Sequence, residues 1–294
     1  MNQESRRSDQ LFLYGMILSM FCWGISWASG KVLTGYGSAL GISFFRFAVT
    51  FFSLFLVLGA FRQPLFIKRE SWKDLFPAAL SIAFYTYFFF QGLSQGKAGA
   101  GGVLVTTLNP VLSYSIMLLF SRRRPTRNES LGLITGLIAG AILLKLWDNW
   151  QNVFSAGNSY FLLASFTWAI LSLFTAKSSR YGSPIAFSLW MYGICSLLLF
   201  FIVGIPESKA IIDNSDTLFW GNLFFSGTIT TALATTFYFV ATTKLGASKA
   251  SSFIFLVPFS AALGSWVFLN EVPQWHTVIG GLIGVGAVYI LNKK

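Results

Sequence analysis

The sequence predicts an all-α polytopic membrane protein, with ten transmembrane helices arranged as two inverted five-helix repeats. Three observations lead there. Of the 294 residues, 54% are hydrophobic and only 11% charged, a balance outside the soluble globular range. Apolar runs of about 17–25 residues, the length that carries a helix across ~30 Å of hydrocarbon, recur along the whole chain. The second half also repeats the first at a nearly constant offset.

Taken in order, the predicted spans cover residues 11–31, 39–61, 75–95, 98–120, 130–147, 158–176, 184–204, 218–240, 246–269 and 275–291. Span 1 follows Arg6 and Arg7 but is long for a signal-peptide core and lacks a small-x-small cleavage pattern, so it is expected to stay as a helix. Span 2 carries a lone Arg46, and span 3 carries Tyr85, Tyr87 and Gln91. Span 4 opens on Gly99-Ala100-Gly101-Gly102, whose weak helix propensity suits an outer gate, and holds Pro110 at its middle. Span 5 repeats glycine every four residues at Gly132, Gly136 and Gly140, as span 10 does at Gly280 and Gly284, which allows close helix contact within the chain or in a homodimer. Span 6 contains Trp168, span 7 Cys195, span 8 the hydroxyls of Thr231, Thr235, Thr236 and Tyr238, and span 9 Phe255 and Pro258. Alternating ten-residue strands and charged helix faces are both missing, which argues against a β-barrel and a soluble bundle.

Basic residues orient the chain. With the N-terminus in the cytoplasm, sixteen Lys and Arg fall in the tails and even-numbered connections, four on the opposite side and Arg46 within a span. That bias predicts both termini inside, in a bacterial inner membrane. The net charge of +11 is then topological, split among short loops, and no nucleic-acid partner is expected.

At an offset of 148, Leu108 pairs with Leu256, Pro110 with Pro258, Phe120 with Phe268, Pro125 with Pro273, Gly132 with Gly280, Gly136 with Gly284 and Leu143 with Leu291. Near the start of each half the offset is 145 and pairs Trp23 with Trp168, Tyr36 with Tyr181, Gly37 with Gly182 and Ser38 with Ser183. Five spans per half is an odd number, so the second half enters the membrane from the opposite side. The expected division is 1–147 for the first repeat, 148–157 for an external connecting loop and 158–294 for the second repeat.

Each mid-span proline removes a backbone hydrogen bond and frees the carbonyl four residues earlier, at Thr106 and Ile254, so both spans are expected to kink at the midplane. Inverted-repeat transporters hold substrate at that depth on interrupted helices. Thr106, Thr107, Asn109, Tyr114 and Ser115 then read as the lining of a watered cavity, or else as hydroxyls bonded within their own helix.

Trp23-Gly24 followed by Lys31, Phe45-Arg46-Phe47, the Pro110 span and the run from Leu245 through Pro258 to Asn270-Glu271 and Gly280 resemble the EamA-type drug/metabolite transporter superfamily over nearly the whole chain. The chain departs from the family's common Gly-Glu after the fourth span, reading Ser121-Arg122-Arg123. The resemblance implies a ten-helix inverted-repeat carrier with a central cavity lined mainly by helices 1, 3, 4, 6, 8 and 9.

Within those helices the candidate substrate-binding residues are Trp23, Trp27, Tyr85, Gln91, Thr106, Asn109, Trp168, Thr235, Tyr238 and Phe255. Aromatic faces with scattered hydroxyls and amides suit a small amphipathic metabolite such as an amino acid or an aromatic compound; helix packing is the competing account of the tryptophans. Lys31, Arg46 and Glu271 are candidate charge or gating residues: Lys31 either snorkels or makes the outer half positive, and Arg46 either caps a carbonyl or meets a substrate carboxylate. Glu271 and His276, near the outer ends of helices 9 and 10, are the acid and histidine positioned to relay a proton, so facilitated export and proton antiport fit equally well.

One His, two Cys and no midplane carboxylate leave too little for a metal site, an acid–base pair or a nucleophilic triad, so neither an enzyme nor a cofactor is expected. The expected function is secondary transport of small organic metabolites by alternating access, with a small-molecule substrate and the lipid bilayer as partners. The alternatives are a proton-driven drug or toxin exporter and a non-transporting sensor of the same fold.

Overall fold

A computed structural model describes residues 3–121, 124–238 and 253–292. Among these the regular structure is entirely helical, in ten membrane-scale segments: α1 (Gln3–Leu33), α2 (Ala39–Ala60), α3 (Trp72–Gln95), α4 (Ala98–Ser121), α5 (Arg127–Leu143), α6 (Ala156–Thr175), α7 (Pro184–Asp213), α8, α9 and α10 (Trp275–Asn292). Helix α8 begins as Thr217–Phe224 and widens into a π-helix at Phe225–Ala234. Helix α9 is described as a 3₁₀ turn, Phe253–Phe255, leading into Leu256–Leu269. The expected junction between spans 8 and 9, residues 241–245, lies outside the described residues.

Local chemistry sets the boundaries. Ser38 caps α2 by accepting from Gly41 N at 3.1 Å, Asp216 caps α8 by accepting from Phe219 N at 2.8 Å, and Thr126 with Glu129 forms a reciprocal capping box at the start of α5. Pro184 occupies the first turn of α7, where its missing N–H costs no bond. Helix α7 runs past the expected residue 204 to Asp213, but Gly204, at φ 72°, breaks it into a span and a short terminal helix; only glycine takes that backbone cheaply. Helix α6 starts at Ala156, inside the expected loop 148–157.

The most extensive helix contacts join one half of the chain to the other: α3 with α6, α5 with α10, α2 with α7, α1 with α9 and α4 with both α6 and α9. They follow the inverted repeat, because α1 on α9 matches α6 on α4, while α5–α10 and α2–α7 each map onto themselves. Glycines make the closest approaches. A Cβ added to Gly132 would lie 2.6 Å from Leu291 Cγ, and one on Gly280 would lie 2.7 Å from Leu143 Cγ, two contacts that the repeat exchanges. The glycine periodicity of α5 and α10 is thus spent inside one chain.

Buried apolar residues form an asymmetric pattern across the bilayer. Toward the face where α1 ends and α4 begins, one cluster links Trp27, Leu33, Ile42, Phe90, Leu93, Leu104, Phe161, Phe219 and Ala261, drawn from seven helices. Toward the opposite, basic face the packing separates. One cluster there is built mainly from α2, α3, α6 and α7, around Leu58, Leu75, Ile82, Phe187 and Leu199, and the other joins α1 to α9 through Met16, Met20 and Val257. A cavity lies between these two groups.

Candidate functional site

The cavity holds about 510 Å³ and is lined by side chains of α1, α2, α3, α4, α6, α7, α8 and α9. It runs from the level of Trp27, Arg46, Phe89 and Val105 to Thr175 and Ser178, where α6 ends on the basic face. Its closed end is aromatic. Trp27 meets Phe89 edge-on at 4.7 Å between centroids and Phe161 at 5.9 Å. Tyr85 lies against Trp168 at 4.7 Å, and Trp23 against Tyr238 at 5.5 Å. Trp23 and Trp168, paired by the repeat, thus face one cavity from opposite halves.

Of the residues the sequence singled out, Trp23, Trp27, Arg46, Tyr85, Thr106, Asn109, Pro110, Trp168, Thr235 and Tyr238 line this cavity. The others lie elsewhere, each for a local reason. Gln91 sits two turns beyond Tyr85 toward the closed face and accepts from Gln95 Nε2 at 3.4 Å. Phe255 belongs to the 3₁₀ turn, whose register presents Ile254 and then Val257 to the cavity instead. Pro258 is the third residue of the α-helical part of α9, not its midpoint, so its absent N–H falls among the donors a first turn leaves free. In the described part of α9 the change from 3₁₀ turn to α-helix lies just before Pro258. Helical hydrogen bonding continues around Pro110 in α4, which remains one helix from Ala98 to Ser121.

Lys31 and Glu271 act on helix ends at the closed face. Lys31 Nζ donates to the Leu93 carbonyl and, at 3.0 Å, to that of Gly96, satisfying acceptors at the C-terminus of α3. Glu271 Oε2 accepts from Gly99 N at 3.1 Å at the first turn of α4. A crevice of about 40 Å³ collects Lys97, Glu271 and His276 there, room for a water or two and separate from the main cavity.

Several hydroxyls around the cavity donate within their own helices. Thr106 donates to Gly102 O, Ser172 to Trp168 O at 2.9 Å and Thr175 to Leu171 O at 3.1 Å, which leaves only lone pairs for a ligand. In the amide orientation its network selects, Asn109 donates to the carbonyls of Val105 and Ser165, both at 3.2 Å, and ties α4 to α6. Trp23 Nε1 donates to Thr230 O at 3.2 Å, a carbonyl in the π-helix of α8. Wide π turns of this kind recur at functional sites.

Arg46 stands apart. It is 9% exposed and lines the cavity from α2. Its Nη2 donates to Thr231 Oγ1 at 3.2 Å, and that hydroxyl donates in turn to Ser226 O, five residues back in the π-helix, at 2.7 Å. The guanidinium carbon lies 5.2 Å from the Phe89 ring centre and 5.8 Å from those of Phe47 and Phe90. Among the described residues Nε has no hydrogen-bond partner. Close packing on α8 holds the residue in place: Thr50 donates to both Arg46 O and Gly227 O, at 2.9 and 3.1 Å.

Helix α7 was not expected in the lining, and α2 only through Arg46, yet Phe47 also comes from α2, and Ser188, Met191 and Tyr192 from α7. A tyrosine and a serine one turn apart in an apolar span were the available signal for α7. For α8, only the threonine density hinted at the π-helix.

At each face a tyrosine of one half meets an aspartate of the other. Tyr36, after α1, donates to Asp216 Oδ1 at 2.7 Å, at the start of α8. Tyr181, between α6 and α7, donates to Asp74 in the first turn of α3, and Lys177 Nζ reaches the same carboxylate at 2.8 Å. The two tyrosines are repeat-related, at the offset of 145. Asp216 is held below the usual carboxylate range, first by the Phe219 N–H and then by the Tyr36 hydroxyl. The same bonds hold the Tyr36 and Tyr181 hydroxyls above the usual tyrosine range.

Comparison with known proteins agrees with this architecture. The model of the EamA-like transporter family matches residues 11–145 and again 155–293. The uncharacterized transporter YdfC of Bacillus subtilis is 27% identical, with 82% of this chain and 77% of that protein aligned. A probable terminal-alkyne amino-acid exporter of Streptantibioticus cattleyicolor is 22% identical over 96% of this chain and 93% of its own length. One crystal structure superposes with a TM-score of 0.57 at 16% identity, covering 95% of this chain and 96% of the other, a likeness of fold. With a helical membrane fold and two family matches that between them span nearly the whole chain, this protein belongs to the EamA-like transporter family.

Proposed function

We propose that this protein is a secondary carrier that moves a small organic metabolite with an aromatic or other apolar body, by alternating access around the central cavity. The observation that carries this is a cavity of about 510 Å³, walled by rings from both halves and closed by continuous packing toward one face only. That size lies within the range of about 300–1,000 Å³ usual for small-molecule sites. A probable terminal-alkyne amino-acid exporter among the relatives supports the substrate class. By the positive-inside rule the open face is cytoplasmic and the membrane a bacterial inner membrane, with both termini inside. Because the halves interleave, the moving bodies are not the sequence repeats, divided by the proposed connection at 148–157. They are the group α2, α3, α6 and α7 on one side and the group α1 and α9 on the other, with α8 packed against both α1 and α2.

The test is uptake and counterflow in proteoliposomes. A pooled set of amino acids and aromatic metabolites is read by mass spectrometry, with and without an imposed pH gradient. Saturable counterflow of one compound class supports the carrier. Ligands that stabilise the purified protein without any flux would instead establish a sensor.

A further inference from the structure

We propose that Arg46 anchors a substrate carboxylate, which makes the substrate of this cavity an organic monocarboxylate whose aromatic or apolar body rests on the surrounding rings. This inference rests on the carrier reading of the same cavity and deepens it.

The guanidinium offers five N–H groups in a planar fork. Among the described residues one hydrogen bond uses that fork, from Nη2 to Thr231 Oγ1, and no carboxylate forms an ion pair with it. The three phenylalanine rings around it accept positive charge diffusely but supply no directional acceptor. A cation so far removed from water is costly unless an anion joins it. Arg46 is the one Lys, Arg, His, Asp or Glu among the described residues that line the cavity, so the space carries an uncompensated positive charge.

Neighbouring donors extend the pattern. The hydroxyls of Tyr85 and Tyr192 and the indole N–H groups of Trp27 and Trp168 all belong to the lining, and none has a hydrogen bond among the described residues. The hydroxyls of Ser26, Thr106, Ser172, Thr175, Thr230 and Thr231 are spent on backbone carbonyls instead. A cavity with surplus donors and one fixed cation matches a planar, two-oxygen anion, which a guanidinium binds through two parallel hydrogen bonds. The rings of Trp27, Tyr85 and Trp168 then receive the rest of the molecule.

The experiment uses the purified full chain in nanodiscs with four probes that differ only in their polar ends: L-phenylalanine, phenylacetate, L-phenylalaninamide and phenethylamine. Thermal stabilisation and quenching of tryptophan fluorescence report binding, and proteoliposome counterflow separately reports transport. The two carboxylates should bind and the amide and amine should bind at least 10-fold more weakly. Arg46→Gln should lose roughly 10- to 100-fold in carboxylate affinity, the loss of a charged hydrogen-bond partner, and with it the preference over the amide. Arg46→Lys, which keeps the charge but not the fork, should keep the preference at reduced affinity, and it serves if Arg46→Gln does not fold. Equal binding of all four probes, equal carboxylate binding by wild type and Arg46→Gln, or binding of none of them would overturn the assignment. Carboxylate binding that depends on Arg46 without counterflow would leave the anchor standing and remove the carrier reading.

Discussion

Replacing Gly24 by alanine tests the packing that closes the cavity. Gly24 lies on α1 between Trp23 and Trp27, where α1 meets α9. An added Cβ would overlap Ser260 Oγ and come within 2.6 Å of Ala261 N and 2.7 Å of the Ser260 carbonyl carbon. The hydroxyl cannot simply turn away, because its one proton lies among three carbonyl acceptors, Leu256 O, Val257 O and Met20 O, at 2.9, 3.1 and 3.1 Å. The two backbone atoms have no rotamer to change. Restoring a contact of ~3.5 Å requires the helices to part by about 0.9 Å, enough to forfeit a quarter to a half of the dispersion energy of each facing atom pair. Overpacking of this kind costs about 1–3 kcal/mol.

Alanine is also the better helix former, by about 1 kcal/mol, so the raw change would mix two effects. Gly286→Ala in α10 isolates them, since a Cβ there meets nothing within 4 Å. The difference between the two variants is the packing cost alone, roughly 2–12 °C in thermal midpoint at about 2–4 °C per kcal/mol. Thermal unfolding of both variants in the same detergent measures it. Equal midpoints would refute the close approach of α1 and α9. A lower midpoint for Gly24→Ala should come with weaker ligand binding, because Trp27 moves away from Phe89.

Three further outcomes are expected. Pro110→Ala restores the bond to the Thr106 carbonyl and should slow counterflow several-fold without lowering the thermal midpoint, whereas Pro258→Ala, in the first turn of α9, should change flux little. Lys31→Met keeps the apolar stem but abandons the carbonyls at the end of α3, which should cost about 1–2 kcal/mol, read as a lower midpoint. The Tyr36–Asp216 bond should depend on pH. Asp216 titrates below its unfolded value of ~3.9, so its contribution is full above that value and is lost as pH falls through the folded pKa. Tyr36 titrates above ~10, so its contribution persists until alkaline pH. The stability gap between wild type and Tyr36→Phe should therefore be flat from about pH 5 to 9 and shrink as pH falls below ~3.9. A gap that persists unchanged in acid would mean the bond contributes nothing.

Span number, type and order were legible in the sequence because hydrocarbon imposes a length and satisfies no backbone group, so each crossing must be a long apolar helix. The inverted repeat was legible because Pro110 and Pro258, Gly132 and Gly280, and Trp23 and Trp168 kept their spacing. Those pairs also pointed to the α1, α4 and α6 walls of the cavity.

What the tertiary structure decided was which faces meet. In a helix that is apolar all round, periodicity carries no signal for burial, since lipid and protein interior select the same side chains. Hence Phe47, Met191 and Tyr192 could not be told from lipid-facing neighbours until α2 and α7 were packed together. The π-helix of α8 sets Gly227 against Val49 and Arg46 of α2, and Pro258 lies just inside the described α-helical part of α9, neither of which the sequence shows. Arg46 shows the division most plainly. Its presence in a span marked it as costly, but only the fold placed a single hydroxyl, three rings and an open cavity around it. The energy of a buried charge is set by whatever surrounds it, and that is a property of the assembled helices.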